Sequence, residues 1–217
     1  MSRALAQAVL IQGPAGALQA IIEDPLDAQA PAPAQFAVIC HPHPLHGGTM
    51  DNKVVTTLAR SFHSLGIPTL RFNYRGVGSS AGSWDEGRGE TLDALAVLAA
   101  GRARWPSAVP WLAGFSFGGY VAFNASTHVA GSDVARLFTI APTLPRHYPD
   151  VSTVPVPPCP WLVVQGDADE VIDPQQVIQW ATQVPARPQV VALPGVGHFF
   201  HGKLDQLQAQ VLAFAQD

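Results

Sequence analysis

The sequence has little charge, no basic cluster and no long apolar run. Charged residues make up 13% of its 217 positions, and 12 scattered Lys and Arg face 16 Asp and Glu, for a net charge of −4. A domain that binds nucleic acid usually carries a basic patch, which is missing here. No apolar stretch approaches the ~20 residues of a membrane-spanning helix. We therefore expect neither nucleic acid nor a membrane as a partner.

Cysteine is also scarce, with only Cys40 and Cys159 present. A disulfide framework needs more cysteines in a shorter chain, so we interpret both as buried free thiols. Residues 1–11 faintly resemble a signal peptide, but Gln7 interrupts the apolar run and Gly13-Pro14 soon follows it. We expect a cytoplasmic protein.

What the sequence does contain is apolar runs that alternate with helical patterns, in a chain that is 47% hydrophobic. Strands are predicted at 8–12, 17–23, 36–40, 67–72, 109–113, 135–140, 161–165 and 189–193. Helices are predicted after a cap at Asp51 or Asn52 and up to residue 65, at 91–103, after Ser116 up to residue 126, after Asp173, and at 203–215. Such alternation predicts a mostly parallel sheet covered by helices on both faces, and the first two runs predict an antiparallel hairpin at one edge. We expect one domain over residues 1–217, with loops at 25–33 and 143–160, the latter too short for a cap domain.

Residues 114–118 read Gly-Phe-Ser-Phe-Gly, a GxSxG motif between a predicted strand and a predicted helix. A serine on such a sharp turn holds a strained backbone while neighbouring elements pass close by. Glycines two residues to either side remove the Cβ atoms that would clash. The motif therefore predicts that Ser116 is an exposed nucleophile.

A serine nucleophile needs a base within hydrogen-bond reach, and that base needs an acid to orient it. Asp169 follows the strand predicted at 161–165, and His198 follows the last predicted strand, so both lie at the sheet edge of Ser116. His201 is the alternative base. Among the neighbouring acids, we interpret Asp167 as a turn former and Asp173 as a helix N-cap.

These residues, in the chain order Ser, Asp, His, resemble the α/β-hydrolase superfamily over nearly the whole chain. The segments His41-Pro42-His43-Pro44-Leu45-His46-Gly47-Gly48-Thr49-Met50-Asp51-Asn52-Lys53 and Arg75-Gly76-Val77-Gly78-Ser79-Ser80 are similar to a subgroup of small bacterial serine hydrolases that lack a lid. The resemblance implies an α/β-hydrolase fold without a cap and a serine hydrolase that cleaves small soluble esters. We expect no cofactor, and either a monomer or a small homo-oligomer.

Acyl transfer also requires N–H donors for the oxyanion, and the residue after the nucleophile supplies one of them, here Phe117. The second should come from the loop after the third strand, where prolines have no N–H. By position we choose His43, with Leu45 and Gly47 as alternatives.

Three further patterns have competing interpretations. His41, His43 and His46 could form a metal cluster, but intervening prolines and the lack of a nearby carboxylate argue against a metal site. The glycine turn at 76–80 lacks a complete dinucleotide-binding motif and is interpreted as a tight loop. Glu90 and Asp93 are interpreted as solvated charges on a helix face.

The favoured function is therefore an esterase in which Ser116, His198 and Asp169 form a catalytic triad. The alternatives are an acyltransferase, perhydrolase or thioesterase with the same triad. A non-catalytic binding protein on this fold would be expected to lack a triad member, and none is missing.

Overall fold

One eight-stranded sheet organises the described part of the chain. The computed structural model describes residues 5–24, 32–128 and 133–216. The strands are β1 (Leu5–Gly13), β2 (Gly16–Asp24), β3 (Gln35–Cys40), β4 (Thr69–Phe72), β5 (Val109–Phe115), β6 (Arg136–Ile140), β7 (Trp161–Gly166) and β8 (Gln189–Leu193). Their order across the sheet is β1-β2-β4-β3-β5-β6-β7-β8. This places β5, which leads to Ser116, in the middle of the sheet.

Strand directions confirm the predicted fold class. β1 and β2 form an antiparallel hairpin, β2 pairs antiparallel with β4, and all the remaining pairs are parallel. The carboxyl ends of β3, β5, β7 and β8 therefore meet at one edge. Residues 1–4 lie outside the described residues, and so do residues 25–31 of the predicted loop at 25–33.

Helices cover both faces of this sheet. They are α1 (Lys53–Ser64), α2 (Arg88–Arg104), α3 (Phe117–Thr127), α4 (Leu144–His147), α5 (Pro174–Gln183) and α6 (Leu204–Gln216). Side chains of α2, α3 and α5 enter one apolar core, and those of α1 and α6 enter the core on the opposite face. Because both faces are buried, β7 is apolar along nearly its whole length rather than alternating.

Helix starts follow local capping chemistry. The Asn52 side chain, rather than that of Asp51, accepts a 2.9 Å hydrogen bond from the Val54 amide at the start of α1. At α5 the Asp173 side chain accepts from the Gln175 amide at 3.0 Å, and Pro174 occupies the first helical position. The N-cap interpretation of Asp173 agrees with this geometry.

The interpretation of Glu90 and Asp93 as solvated charges is wrong, because both are fully buried. Glu90 accepts hydrogen bonds from the Gly87 amide at 2.7 Å and the Asp85 amide at 2.9 Å. Asp93 forms a two-pronged ion pair with the Arg75 guanidinium, at 2.8 and 3.0 Å, and also accepts from the Arg75 amide. Asp93 therefore holds the segment after β4 against α2, and Glu90 holds the residues just before α2 at the start of that helix.

The segment at 143–160 builds no cap over the sheet edge. It contains only the four-residue α4 and a 3₁₀ turn at Val151–Thr153. Within the described ranges, no helix combines the length and apolar character needed to cross a bilayer. Cys40 is buried and Cys159 half-buried, both as free thiols, and burial raises the pKa of each to about 12.

Candidate active site

Ser116 lies on the turn between β5 and α3 in a strained conformation of positive φ, with φ 56° and ψ −119°. Only 7% of its surface is exposed, so the prediction of an exposed serine is wrong. A Cβ on Gly114 would lie 1.9 Å from the Gly118 carbonyl oxygen, and one on Gly118 would lie 2.2 Å from the Cys40 carbonyl oxygen. Only glycine fits at both positions, which explains the GxSxG spacing. Strain of this kind costs about 1–3 kcal/mol and is typical of functional turns.

The structure brings Ser116, His198 and Asp169 into one hydrogen-bonded line. His198 Nε2 lies 3.1 Å from Ser116 Oγ, and His198 Nδ1 lies 2.8 Å from Asp169 Oδ2. Because a carboxylate only accepts hydrogen bonds, Nδ1 carries the proton and the Nε2 lone pair faces the serine hydroxyl. This tautomer can accept a proton from Ser116. His201, the alternative base, is exposed and makes no hydrogen bond with the described residues of the site.

Four donors hold the carboxylate of Asp169. Oδ1 accepts from the Val171 and Ile172 amides at 2.9 and 2.8 Å, while Oδ2 accepts from His198 and from Gln165 Nε2, the latter at 2.9 Å. Burial by itself would raise the pKa of Asp169, but the hydrogen bonds from His198, Ile172 and Val171 outweigh it and lower the pKa below its ordinary value. The acid is therefore held ionised and fixed in orientation.

Gln165 is a site residue that the sequence reasoning missed. It is fully buried near the end of β7, and its Nε2 also donates to the Gly166 carbonyl at 3.1 Å. Both partners are acceptors, which fixes the amide orientation and leaves Oε1 buried without a partner among the described residues. A polar residue within an apolar strand that leads to the acid was the available signal.

The other acids near Asp169 hold the loops rather than His198 itself. Asp167 Oδ1 accepts from the Gly195 amide at 2.7 Å and so joins the ends of β7 and β8. Glu170 accepts from the backbone amide of His198 at 3.1 Å. Of these acids, only Asp169 makes a hydrogen bond to the imidazole of His198.

Two of the predicted oxyanion donors have free N–H groups. Among the described residues, no hydrogen-bond acceptor faces the Phe117 or the His43 amide. The close approach of Gly118 to the Cys40 carbonyl brings the start of α3 against the exit of β3, beside both amides. Of the two alternatives, the Leu45 amide is also free, whereas the Gly47 amide donates to the Pro44 carbonyl at 3.2 Å.

The histidines after β3 have separate environments. His41 is fully buried, donates from Nδ1 to the Pro42 carbonyl at 2.7 Å and accepts from the Tyr74 amide at Nε2, and burial lowers its pKa to about 3. The rings of His43 and His46 stack on each other with centroids 4.5 Å apart. In the part of the chain that the structure describes, no three His, Cys, Asp or Glu side chains converge as a metal site would require.

Asn73 and Gln19 tie together the loop before α1, the glycine turn after β4 and strand β2. Asn73 Oδ1 accepts from the Met50 amide at 2.9 Å, and Asn73 Nδ2 donates to Gln19 Oε1 at 2.9 Å. The same Gln19 oxygen accepts from the Ser79 amide at 2.9 Å. The glycine turn at 76–80 is therefore a tight loop tied to β2, as predicted.

Comparison with known proteins gives consistent relatives. No family model matches the sequence. An uncharacterized protein from Rickettsia prowazekii is 31% identical over 192 residues, which cover 85% of this chain and 80% of that protein. A solved α/β serine hydrolase without lid from Xanthomonas campestris has a TM-score of 0.87 and 41% identity, and the match covers 97% of this chain and 94% of that one. An α/β serine hydrolase homologue from Coxiella burnetii has a TM-score of 0.86 and 42% identity, with 98% and 97% covered.

Proposed function

This chain belongs to the α/β serine hydrolases without a lid, and from that membership we propose that it cleaves carboxylic esters with Ser116 as nucleophile, His198 as base and Asp169 as the orienting acid. The observation that carries the proposal is the hydrogen-bonded line from Ser116 Oγ through both ring nitrogens of His198 to Asp169. Its tautomer is the one that nucleophilic attack requires.

The reaction begins when Ser116 Oγ attacks the ester carbonyl carbon and His198 Nε2 takes the hydroxyl proton. The carbonyl oxygen becomes an oxyanion that accepts hydrogen bonds from the free amides of Phe117 and His43. Collapse of this intermediate expels the alcohol, which receives the proton from His198, and leaves an acyl-serine. Water then attacks the acyl carbon while His198 again accepts and returns the proton, which releases the carboxylic acid.

Asp169 remains ionised through both halves of the cycle. Its lowered pKa means that it does not take the proton from the imidazolium at neutral pH but stabilises that cation as an ion pair. The two backbone amides at Oδ1 keep the second carboxylate oxygen from competing for the imidazole. These contacts support the role of Asp169 as the orienting acid.

Substrate size follows from the open site. Segment 143–160 builds no lid, so we propose small soluble esters as substrates, with short acyl chains preferred. The protein should be screened with acyl esters of graded chain length and with one thioester of matched acyl group. Ser116→Ala is the blank, because loss of one hydroxyl creates no sizeable cavity and should leave the melting temperature nearly unchanged.

The expected result is ester turnover by the wild-type protein and no turnover above background by folded Ser116→Ala. Turnover of the variant at the wild-type rate would reject the nucleophile. Faster cleavage of the thioester than of the ester would revise the substrate class but not the triad.

A further inference from the structure

A row of aromatic rings lies beside the two proposed oxyanion donors. We call it the aromatic belt, and its members in order are His46, His43, Trp84, Phe117, Tyr120 and His147. Successive ring centroids lie 4.5, 4.6, 5.0, 6.0 and 3.6 Å apart. Each spacing is within or below the range at which aromatic rings attract one another, so the belt is continuous.

Two inner members of the belt carry the proposed oxyanion donors. Phe117 follows the nucleophile, and His43 supplies the other proposed oxyanion amide. The rings of these two residues have centroids 5.2 Å apart, with Trp84 against both. A substituent that extends from the carbonyl carbon toward this side would therefore approach aromatic rings.

Its accessibility distinguishes the belt from a sealed core cluster. Phe117 forms the buried floor, with only 2% of its surface exposed. Trp84, His43 and Tyr120 are half-buried, and the end members His46 and His147 are exposed. The belt thus combines a buried ring at the residue after the nucleophile with aromatic side chains that are partly open to solvent.

Two imidazoles of the belt, those of His43 and His147, have lowered pKa values. Burial, and then the neighbouring His46, lowers the pKa of His43, and burial together with Arg146 lowers the pKa of His147. These two rings are neutral at neutral pH, so they offer flat aromatic faces rather than cationic ones. A planar apolar group suits such a surface better than an anion does.

We propose that the aromatic belt is a stacking subsite for a planar aromatic ring carried by the ester substrate. This inference rests on the proposed function, since it assigns a substrate class to the same site. A flat ring can lie against the half-buried faces of Trp84 and Tyr120, whereas a puckered saturated ring of the same size cannot stack. One added aromatic contact should favour the aromatic substrate by about 2- to 10-fold.

The kinetic test uses two pairs of esters that differ in aromaticity but are closely matched in size and carbonyl reactivity. Methyl 3-phenylpropanoate and methyl 3-cyclohexylpropanoate vary the acyl side, and benzyl acetate and cyclohexylmethyl acetate vary the alcohol side. The expected result is a kcat/KM ratio of about 2 to 10 in favour of the aromatic member of at least one pair. Ratios near one in both pairs would overturn the proposal.

Variants test which residues cause the preference for the aromatic substrate. Trp84→Leu and Tyr120→Leu should each lower the aromatic to cyclohexyl ratio toward one. Phe199→Leu is the comparison variant, because Phe199 is 42% exposed and packs against His198 but is not a member of the belt. If Phe199→Leu abolishes the preference while Trp84→Leu leaves it intact, the preference comes from Phe199 and not from the aromatic belt, and the proposal is overturned. Circular dichroism spectra and melting curves confirm that each variant is folded.

A binding measurement separates this inference from the proposed function. Folded Ser116→Ala is titrated by calorimetry with 3-phenylpropanoate and 3-cyclohexylpropanoate, and with benzyl alcohol and cyclohexylmethanol. Tighter binding of the aromatic member of either pair, lost in Ser116→Ala/Trp84→Leu, supports the subsite even if the wild-type protein cleaves no ester. Equal binding within both pairs, or no binding of any of the four compounds, would overturn it, whatever the esterase assay gives.

Discussion

Replacing Asp169 with Asn converts one carboxylate oxygen into an NH₂ group, and the hydrogen-bond donors around Asp169 determine which of the two oxygens it replaces. Oδ1 of Asp169 accepts from two backbone amides, and Oδ2 accepts from His198 and Gln165. If the Asn oxygen replaced Oδ2, two backbone N–H groups would face an NH₂ group. With the oxygen at Oδ1, only Gln165 Nε2 faces that group as a second donor, so this orientation is favoured.

The orientation has a direct consequence for His198. The Asn NH₂ group now donates toward Nδ1, which must accept, so the imidazole proton moves to Nε2 and faces Ser116. That tautomer cannot take the serine proton. We expect Asp169→Asn to lower kcat by roughly 10⁴-fold, equivalent to about 5 kcal/mol of barrier. The buried donor pair at Gln165 should also cost about 1–3 kcal/mol of stability.

The assay is steady-state ester hydrolysis, with Asp167→Asn and Asp173→Asn as matched controls. Asn retains an oxygen for the Gly195 amide at position 167, and it caps a helix as well as Asp does at position 173. Both controls should keep kcat within a few-fold of the wild type. Retention of more than a tenth of wild-type kcat by Asp169→Asn, or inactivation by either control, would refute the reasoning.

Three further predictions concern stability and substrate form. His41 is neutral in the folded state above its pKa of about 3 but binds a proton near pH 6.5 when unfolded. The free energy of unfolding should therefore fall as pH drops from 6.5 toward 3, by up to about 1.4 kcal/mol per pH unit. Urea unfolding between pH 7.5 and 5 should show a shallower slope for His41→Gln, and an equal slope would exclude His41 as the cause. Asp93→Ala leaves the Arg75 guanidinium without its carboxylate partner and should lower the free energy of unfolding by about 3–5 kcal/mol, measured by urea unfolding. A loss below about 1 kcal/mol would contradict a stabilising role of the buried ion pair. Because segment 143–160 builds no lid, no rate jump should occur when a long-chain ester passes its solubility limit, and a jump would argue for interfacial activation.

Much of the fold was predictable because its signals are local. Buried parallel strands appear as apolar runs, the Asn52 and Asp173 caps precede their helices, and close backbone passage requires the glycines of the GxSxG turn. The sequence also pointed to Ser116, Asp169 and His198, and the structure places the two ring nitrogens of His198 within hydrogen-bond distance of the other two residues. The GxSxG motif, the chain order, the strand ends and the family resemblance together led to that choice.

What the sequence reasoning missed depends on partners that are distant along the chain. Nothing near Asp93 shows that Arg75 will reach it, so the acid was interpreted as a solvated charge although it is fully buried. The aromatic belt draws its rings from four separate segments, after β3, before α2, in α3 and in α4. Only tertiary packing brings such residues together.

The central claim, an activated nucleophile at Ser116, is tested most directly by labelling the wild-type protein with a fluorophosphonate and mapping the adduct by mass spectrometry. The account predicts one adduct, on the peptide that contains Ser116, with labelling abolished in Ser116→Ala and strongly slowed in His198→Ala. No adduct on the folded wild-type protein, or an adduct that persists in Ser116→Ala, would contradict it.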